Sequence, residues 1–314
     1  MRQYIFLLFV FIMLFAKVKG QNDAQITQYW AIPSYFNPSV VGNEDKIKVS
    51  AMDRMQWVGI DGAPKTFFAI AETPFRFIGL NNGVGALVIS DEAGLFKTNS
   101  FLTQYALHLK LGKGVLSMGL RAGVIDYSFD GTKIDIPESG AHNPSDESIP
   151  KTSIGTMAFD AGVGVDYNYK GYYLSFSAVH LPAPELELDE NSMLSINQLY
   201  YLSGGCNILF SNPLFELQPS FLVKSDFTVW QKDFTCRLTY NKLFYGGLSF
   251  RPKDSFSILA GVNIKGIRVG YSYDISTSSI AKASSGSHEL YASYSFKLNF
   301  DKGTKNKHKS IRIL

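Results

Sequence analysis

The 314-residue chain carries 30 Lys and Arg against 27 Asp and Glu, a formal net charge of +3 that gives no signal for nucleic-acid binding. Aromatic residues make up 14% of it, with 24 Phe and 17 Tyr, yet beyond residue 20 a charged, amide or Gly residue interrupts every apolar run, which excludes a membrane-spanning helix. The two cysteines, Cys206 and Cys236, fall on the apolar face of strand-like runs with another strand expected between them. They offer neither a disulfide nor a metal-ligand spacing and read as small apolar side chains.

Residues 1–20 read as a cleaved secretory signal: Arg2 is the positive start, Ile5 to Phe15 the apolar core, and Val18-Lys19-Gly20 the stretch ahead of Gln21. Residues 21–45 follow as an irregular segment. Gln28-Tyr29-Trp30, Pro33-Ser34-Tyr35-Phe36-Asn37-Pro38 and Val41-Gly42 mix aromatics with prolines that break ladders and helices. So aromatic a segment needs a surface to pack on, and the expectation is a plug or a strap along the rim.

From Lys46 to Phe300 the chain divides into about fourteen strand-sized runs separated by turn residues. The first pair flanks Arg54–Thr66. Lys46–Met52 and Phe67–Thr73 read as strands, while Asp61-Gly62 and Ala63-Pro64 supply the turn, with Arg54 and Trp57 near its tip. Trp57 there suits an anchor at a water–apolar boundary. In 157–169 the odd positions are Met, Phe, Ala, Val, Val, Tyr and Tyr, and Asp160 and Asp166 lie among the even ones. In 255–264 Phe256, Ile258, Ala260, Val262 and Ile264 share a face, and in 288–300 Leu290, Ala292, Tyr294 and Phe296 do. Period two over 9–11 residues in an exported, aromatic-rich chain predicts an all-β fold, a transmembrane antiparallel β-barrel of the outer membrane. A secreted sandwich or propeller is the alternative on composition. The runs expected include 65–74, 83–91 and 198–210.

Hairpin turns are predicted at Gly112-Lys113, Lys170-Gly171, Asn241-Lys242, Pro252-Lys253-Asp254 and Lys265-Gly266. Three longer loops, 129–156, 180–197 and 275–287, follow odd-numbered strands and are expected together on the extracellular face, with both chain ends periplasmic. In that reading the tight turns divide between the two sides. Residues 301–314, with Lys302, Lys305, Lys307, Lys309 and Arg312, form a basic tail that is either solvated or a docking element.

No nucleophile elbow, zinc-protease helix, phosphate loop or dinucleotide fingerprint occurs, so no enzyme, cofactor or metal site is expected. His108 alternates with Gln104, Ala106 and Lys110 and should point into the lumen as a polar lining residue; His180 and His288 read as turn or rim residues. The acidic run Glu185–Glu190 has oxygens enough to attract Ca²⁺, but its interleaved leucines favour an edge-like packing segment. Inward charges at Asp160, Asp166, Arg237, Arg268 and Asp274 either lace the lumen shut or line a wet pore.

Several of these residues carry a family resemblance. Gln28-Tyr29, Asn37-Pro38 with Gly42, and Arg54-x-Gln-Trp-Val-Gly-x-Asp-Gly-Ala-Pro-Lys-Thr66 are similar to the N-terminal pattern of the PorP/SprF family. Asn81-Asn82 with Gly83-Val84-Gly85, Gly270–Asp274, and Ser284-x-Gly-x-His288-Glu289 match it as well, whereas Ser39-Val40 replaces the small Ala usual after Asn-Pro. The resemblance covers nearly all of the chain beyond the signal. It implies an accessory outer-membrane barrel of the Bacteroidota type IX secretion system, also serving gliding motility. The implied partners are secreted cargo or its C-terminal domain, other secretion components and outer-membrane lipid. It brings no catalytic residues. Trp30, Tyr35, Asn37, Arg54, Trp57 and Asp61 are the candidates for partner binding or packing. A porin-like or small-solute transporter is the competing reading, and a lipid-directed barrel enzyme using His108 is a remoter one.

Overall fold

The computed structural model describes residues 23–133, 152–189 and 192–297, with the backbone alone over 185–189 and 192–194. The signal segment, the centre of the 129–156 loop and the basic tail lie outside these residues. The strands are β1 (Ile47–Met55), β2 (Lys65–Phe77), β3 (Leu80–Ala93), β4 (Phe96–Leu111), β5 (Gly114–Asp130), β6 (Ser153–Tyr169), β7 (Tyr172–Val179), β8 (Glu185–Asp189) and β9 (Ser192–Ser195). They continue with β10 (Leu199–Cys206), β11 (Ile208–Leu209), β12 (Phe215–Ser225), β13 (Trp230–Tyr240), β14 (Phe244–Arg251), β15 (Ser255–Ile264), β16 (Ile267–Ser276) and β17 (Ser287–Phe296). Fourteen of them form one antiparallel barrel. Sequence neighbours pair throughout, β10 bridges β7 to β12, and β1 closes the ring against β17. β8 and β9 make a separate hairpin in the loop after β7, and β11 is a two-residue extension beside β12.

The wall follows the alternation. Met157 and Phe159 are 70% and 59% exposed on the outer face, while Asp160 between the same strands' inner rows is 0% exposed. Aromatics collect where strands meet the turns at both ends. Phe96–Phe129 and Phe227–Trp230 lie at one end and Phe215–Tyr240 at the other, as the girdles of an outer-membrane barrel require. Among the described residues no helix is long and apolar enough to cross a membrane; crossing is by strands. Cys206 and Cys236 are free, with β12 between their strands.

Three expectations are corrected. Four of the five predicted tight turns do not divide between the two ends, and the fifth, at 252–254, follows an odd-numbered barrel strand and lies with the long loops. Those at 112–113, 170–171, 241–242 and 265–266 all follow even-numbered barrel strands and share one end, while 180–198 and 277–286 share the other. Lys170, Asn241 and Lys265 open their turns at φ 50°, 51° and 51°, the left-handed geometry that matches strand twist in the shortest hairpins. The β2–β3 hairpin is longer than the 65–74 and 83–91 runs. Pro74 forfeits a ladder donor, but Phe75, Phe77 and Leu80 go on facing outward to a turn at Ile78-Gly79. The 198–210 run is broken at Asn207, whose N–H leaves the strand and donates to Gly171 O at 3.1 Å.

The core is not in the wall. It lies in the lumen, where residues 23–43 run from the long-loop end towards the short-turn end and bury Ile26, Tyr29, Ile32, Tyr35 and Phe36 against Phe68, Leu87, Leu102 and Tyr201. The irregular N-terminal segment is therefore a plug.

Candidate functional site

The plug folds by local rules. Pro33 occupies the first turn of a four-residue helix, Pro33–Phe36, where its missing N–H costs nothing. Asn37 is extended and caps the next turn, Pro38–Val40, its Oδ1 accepting from Ser39 N–H at 2.9 Å. The Asn37 amide then docks that turn on the wall, sharing its Nδ2 hydrogens among Ser175 Oγ (2.6 Å), Val165 O (3.0 Å) and Phe176 O (3.2 Å). Two wall glycines leave room for this approach. A Cβ on Gly164 would stand 1.9 Å from Asn37 Oδ1, and one on Gly83 would stand 1.9 Å from Val41 O. His108 points into the lumen as its alternation predicts. Its Nε2–H donates to Val41 O at 3.0 Å, since a carbonyl only accepts, and Nδ1 receives the Ser117 hydroxyl at 2.8 Å. Edge-to-face ring pairs fill the middle: Tyr35–Phe68 at 4.9 Å and Phe36–Tyr201 at 5.3 Å.

Charge holds the long-loop end of the plug. Arg54, on β1, places Nη2 2.7 Å from Asp274 of β16 and Nη1 2.9 Å from Glu289 of β17, with all three side chains at most 2% exposed. Glu289 also accepts the backbone N–H groups of Thr27 (2.9 Å) and Gln28 (2.7 Å), and Thr27 Oγ1 donates to Asp274. Plug and wall thus share one hydrogen-bonded charge cluster. It draws on Gln28, Arg54, Asp274 and Glu289, residues scattered through the blocks that carry the family resemblance.

A second clamp lies across the lumen. His180, just past β7 with φ 54°, sits between Asp160 Oδ1 and Asp23 Oδ1 at 3.0 Å each. Tyr201 donates its hydroxyl to Asp23, Lys224 Nζ donates to Asp23 O at 3.0 Å, and Arg121 pairs with Asp160 at 3.5 Å. Burial pushes the His180 imidazole down, but the Asp23 charge and the bonds to both carboxylates outweigh it and lift its pKa to about 9. Burial likewise raises Asp23, yet the His180 charge and the bonds from His180 and Tyr201 bring it well below the usual carboxylate range.

Of the six candidates, four lie inside the lumen. Trp30 packs edge-on to Tyr245 at 5.1 Å and carries the Arg237 guanidinium 3.6 Å from its ring centre. Tyr35, Asn37 and Arg54 are buried plug contacts. The other two are outside it, at the rim. Trp57 (φ 49°) is half-buried on the turn after β1, its backbone N–H donating to Ser287 Oγ at 3.1 Å, and Asp61 is exposed on the same turn. This turn zips onto the 277–286 loop through Val58 N–H to Gly286 O and Ser285 N–H to Val58 O, both 2.8 Å. Sequence reasoning missed the His180–Asp23 clamp. The available signal was Asp160, which with Asp166 is one of two inward carboxylates on the β6 face that also holds Gly162 and Gly164. Asp160 and Asp274 are paired, whereas Arg237 and Arg268 make no ion pair among the described residues. The side chains of Glu185–Asp189 lie outside the described residues, so the cation reading of that run has no structural counterpart here.

Solved structures share the fold only. The toluene transporter TbuX of Ralstonia pickettii aligns with a TM-score of 0.51 at 11% identity over 85% of this chain and 94% of its own. Omp33 of Acinetobacter baumannii aligns at 0.49, 8% identity, 81% and 100%. No curated protein matches the sequence. The family described as type IX secretion system membrane protein PorP/SprF matches residues 18–294, which include the plug, the Arg54 cluster and the whole barrel. The chain belongs to the PorP/SprF family and is an outer-membrane β-barrel of type IX secretion.

Proposed function

We propose that this barrel is an accessory platform that binds secreted cargo, through the cargo's C-terminal secretion domain, together with other components of the type IX machinery. It turns over no substrate. The supporting observation is the plug: residues 23–43 occupy the lumen and are tied to the wall through Glu289, His180 and Asn37. Specificity then belongs to the long-loop rim, where the Trp57–Ala63 turn and the 277–286 loop are joined and Asp61 is exposed. In this reading the rim faces outward in a Bacteroidota outer membrane, surrounding lipid contacts the apolar belt, and export or surface attachment of adhesins supports gliding.

The test is recovery of partners on a tagged barrel from detergent-solubilised outer membranes, identified by mass spectrometry. A large secreted protein or its C-terminal domain, accompanied by secretion components and lost on W57A/D61A, is the expected result. A barrel recovered alone that conducts ions in planar bilayers overturns it in favour of a solute pore.

A further inference from the structure

The two ends of the lumen are chemically unlike. At the long-loop end, Arg54, Arg121, Arg251 and Lys224 all reach acidic or backbone oxygens. At the short-turn end, a polar cavity of about 350 Å³ opens beneath Trp30 and is lined by Arg237, Arg268 and Lys242 against the single carboxylate of Glu216. Among the described residues neither Arg237 nor Arg268 makes a hydrogen bond or an ion pair. Arg237 rests its guanidinium on the Trp30 ring, and its Nε is buried without an acceptor. Tyr245 lies across Gly270 at the same cavity with its hydroxyl buried and also unbonded. Glu216 is engaged by Gln218 Nε2 at 2.8 Å.

Buried donors nearly always find partners, and a guanidinium left without one keeps most of its desolvation cost. Here several donors converge on one open cavity in which cations outnumber carboxylates, and the plug supplies the aromatic backing that fixes one guanidinium plane. We propose that this cavity is a binding site for an oxyanion, a carboxylate or phosphate group seated between Arg237 and Arg268, with Tyr245 as a further donor and Lys242 at the mouth. The planar donor fork of Arg237 fits two oxygens of one such group. The anion enters from the short-turn end, either free or as an acidic side chain of a protein segment. The proposal is independent of cargo binding at the opposite rim.

Trp30 reports on the site because it stacks on Arg237. Full-length barrel carrying W57F and W230F, purified in detergent, is titrated with inorganic phosphate, with citrate and with a tetra-glutamate peptide, sodium chloride holding ionic strength constant. The expected result is a saturable change in Trp30 emission and a rise in Tm for at least one of the three. R268Q, which leaves the Arg237–Trp30 stack in place, weakens that response by about tenfold or more. R237Q abolishes it, and because R237Q also removes the stacking partner, R268Q is the deciding variant. Saturation by the peptide at far lower concentration than by citrate assigns the site to a protein segment; parity assigns it to a free anion. A response that follows ionic strength alone, or one that R268Q leaves unchanged, overturns the proposal.

Discussion

Arg54 Nη2 stands 2.7 Å from Asp274 Oδ2, which ties the first barrel strand to the next-to-last one across β17 and across the seam where the barrel closes. Glu289 of the intervening strand completes the cluster and holds the plug backbone at Thr27 and Gln28. Replacing Arg54 by Ala strands two buried carboxylates, which costs about 3–5 kcal/mol by the precedent of broken buried pairs. R54A is therefore expected to lower the unfolding midpoint of the barrel in urea and to expose residues 23–30 to protease. R54K, with one donor point in place of a fork, falls between. An R54A barrel as stable and protease-resistant as the parent would remove the cluster from the closure of the seam.

The Asn37 amide makes a narrower prediction. In N37D a carboxylate replaces the amide that donates to Val165 O and Phe176 O, so two carbonyls face an anion instead of an N–H. G164A disturbs the same dock from below, because its Cβ would overlap Asn37 Oδ1. Both variants are expected to speed hydrogen exchange over residues 37–42 while β6 and β7 keep their protection. Unchanged exchange in both would mean that the aromatic layer alone seats the plug.

The barrel was legible in the sequence because its wall obeys one rule, an apolar side chain out and a small or polar one in, which Met157–Tyr169 and Leu290–Phe296 display without help from tertiary structure. Of the buried cluster only Arg54 was among the candidates; Gln28, Asp274 and Glu289 lie within the blocks that carry the family resemblance but were not singled out there. Their meeting point was not legible, since it depends on barrel closure bringing β1 beside β17 and on the plug descending past both. His180 illustrates the limit more sharply. As a residue before a Pro-containing loop it reads as part of a rim, and its partner Asp23 lies 157 positions earlier in a segment with no strand period. The sidedness of the turns was misread for a plainer reason: whole-strand order decides it, and errors of a residue or two at strand ends obscure that order.

The His180 clamp carries a pH signature whose sign follows from its two partners. The folded pKa of about 9 lies above the ordinary 6.5, so its contribution is complete below about pH 6.5 and is lost as pH rises through 9. Asp23 works in the other direction: its folded pKa lies below the ordinary 3.8, so its contribution is complete above that value and is lost as pH falls further. The charges facing the imidazole are Asp23, Asp160 and, behind the latter, Arg121. Proteolysis at residues 23–26 is expected to be slowest between about pH 4 and 6.5 and to accelerate towards pH 9–10. In H180Q the alkaline acceleration disappears. An H180Q profile that keeps it would assign the step to another group.

Removing the plug separates its two roles, sealing and scaffolding. The wall pairs in a complete ring without help from residues 23–43, so a chain lacking them retains every strand–strand ladder. It also leaves Arg54, His180, Lys224 and Arg251 facing water in an emptied lumen. Hydration offsets much of the cost of leaving these charges without their plug contacts, and their wall carboxylates Asp160, Asp233, Asp274 and Glu289 stay beside them, which favours an open, charge-lined channel over collapse. The expected outcome in planar bilayers is a silent full-length barrel and a conducting deletion variant. If the full-length protein already conducts as well as the deletion variant, the plug is not a seal, and the holding function argued from it loses its main support.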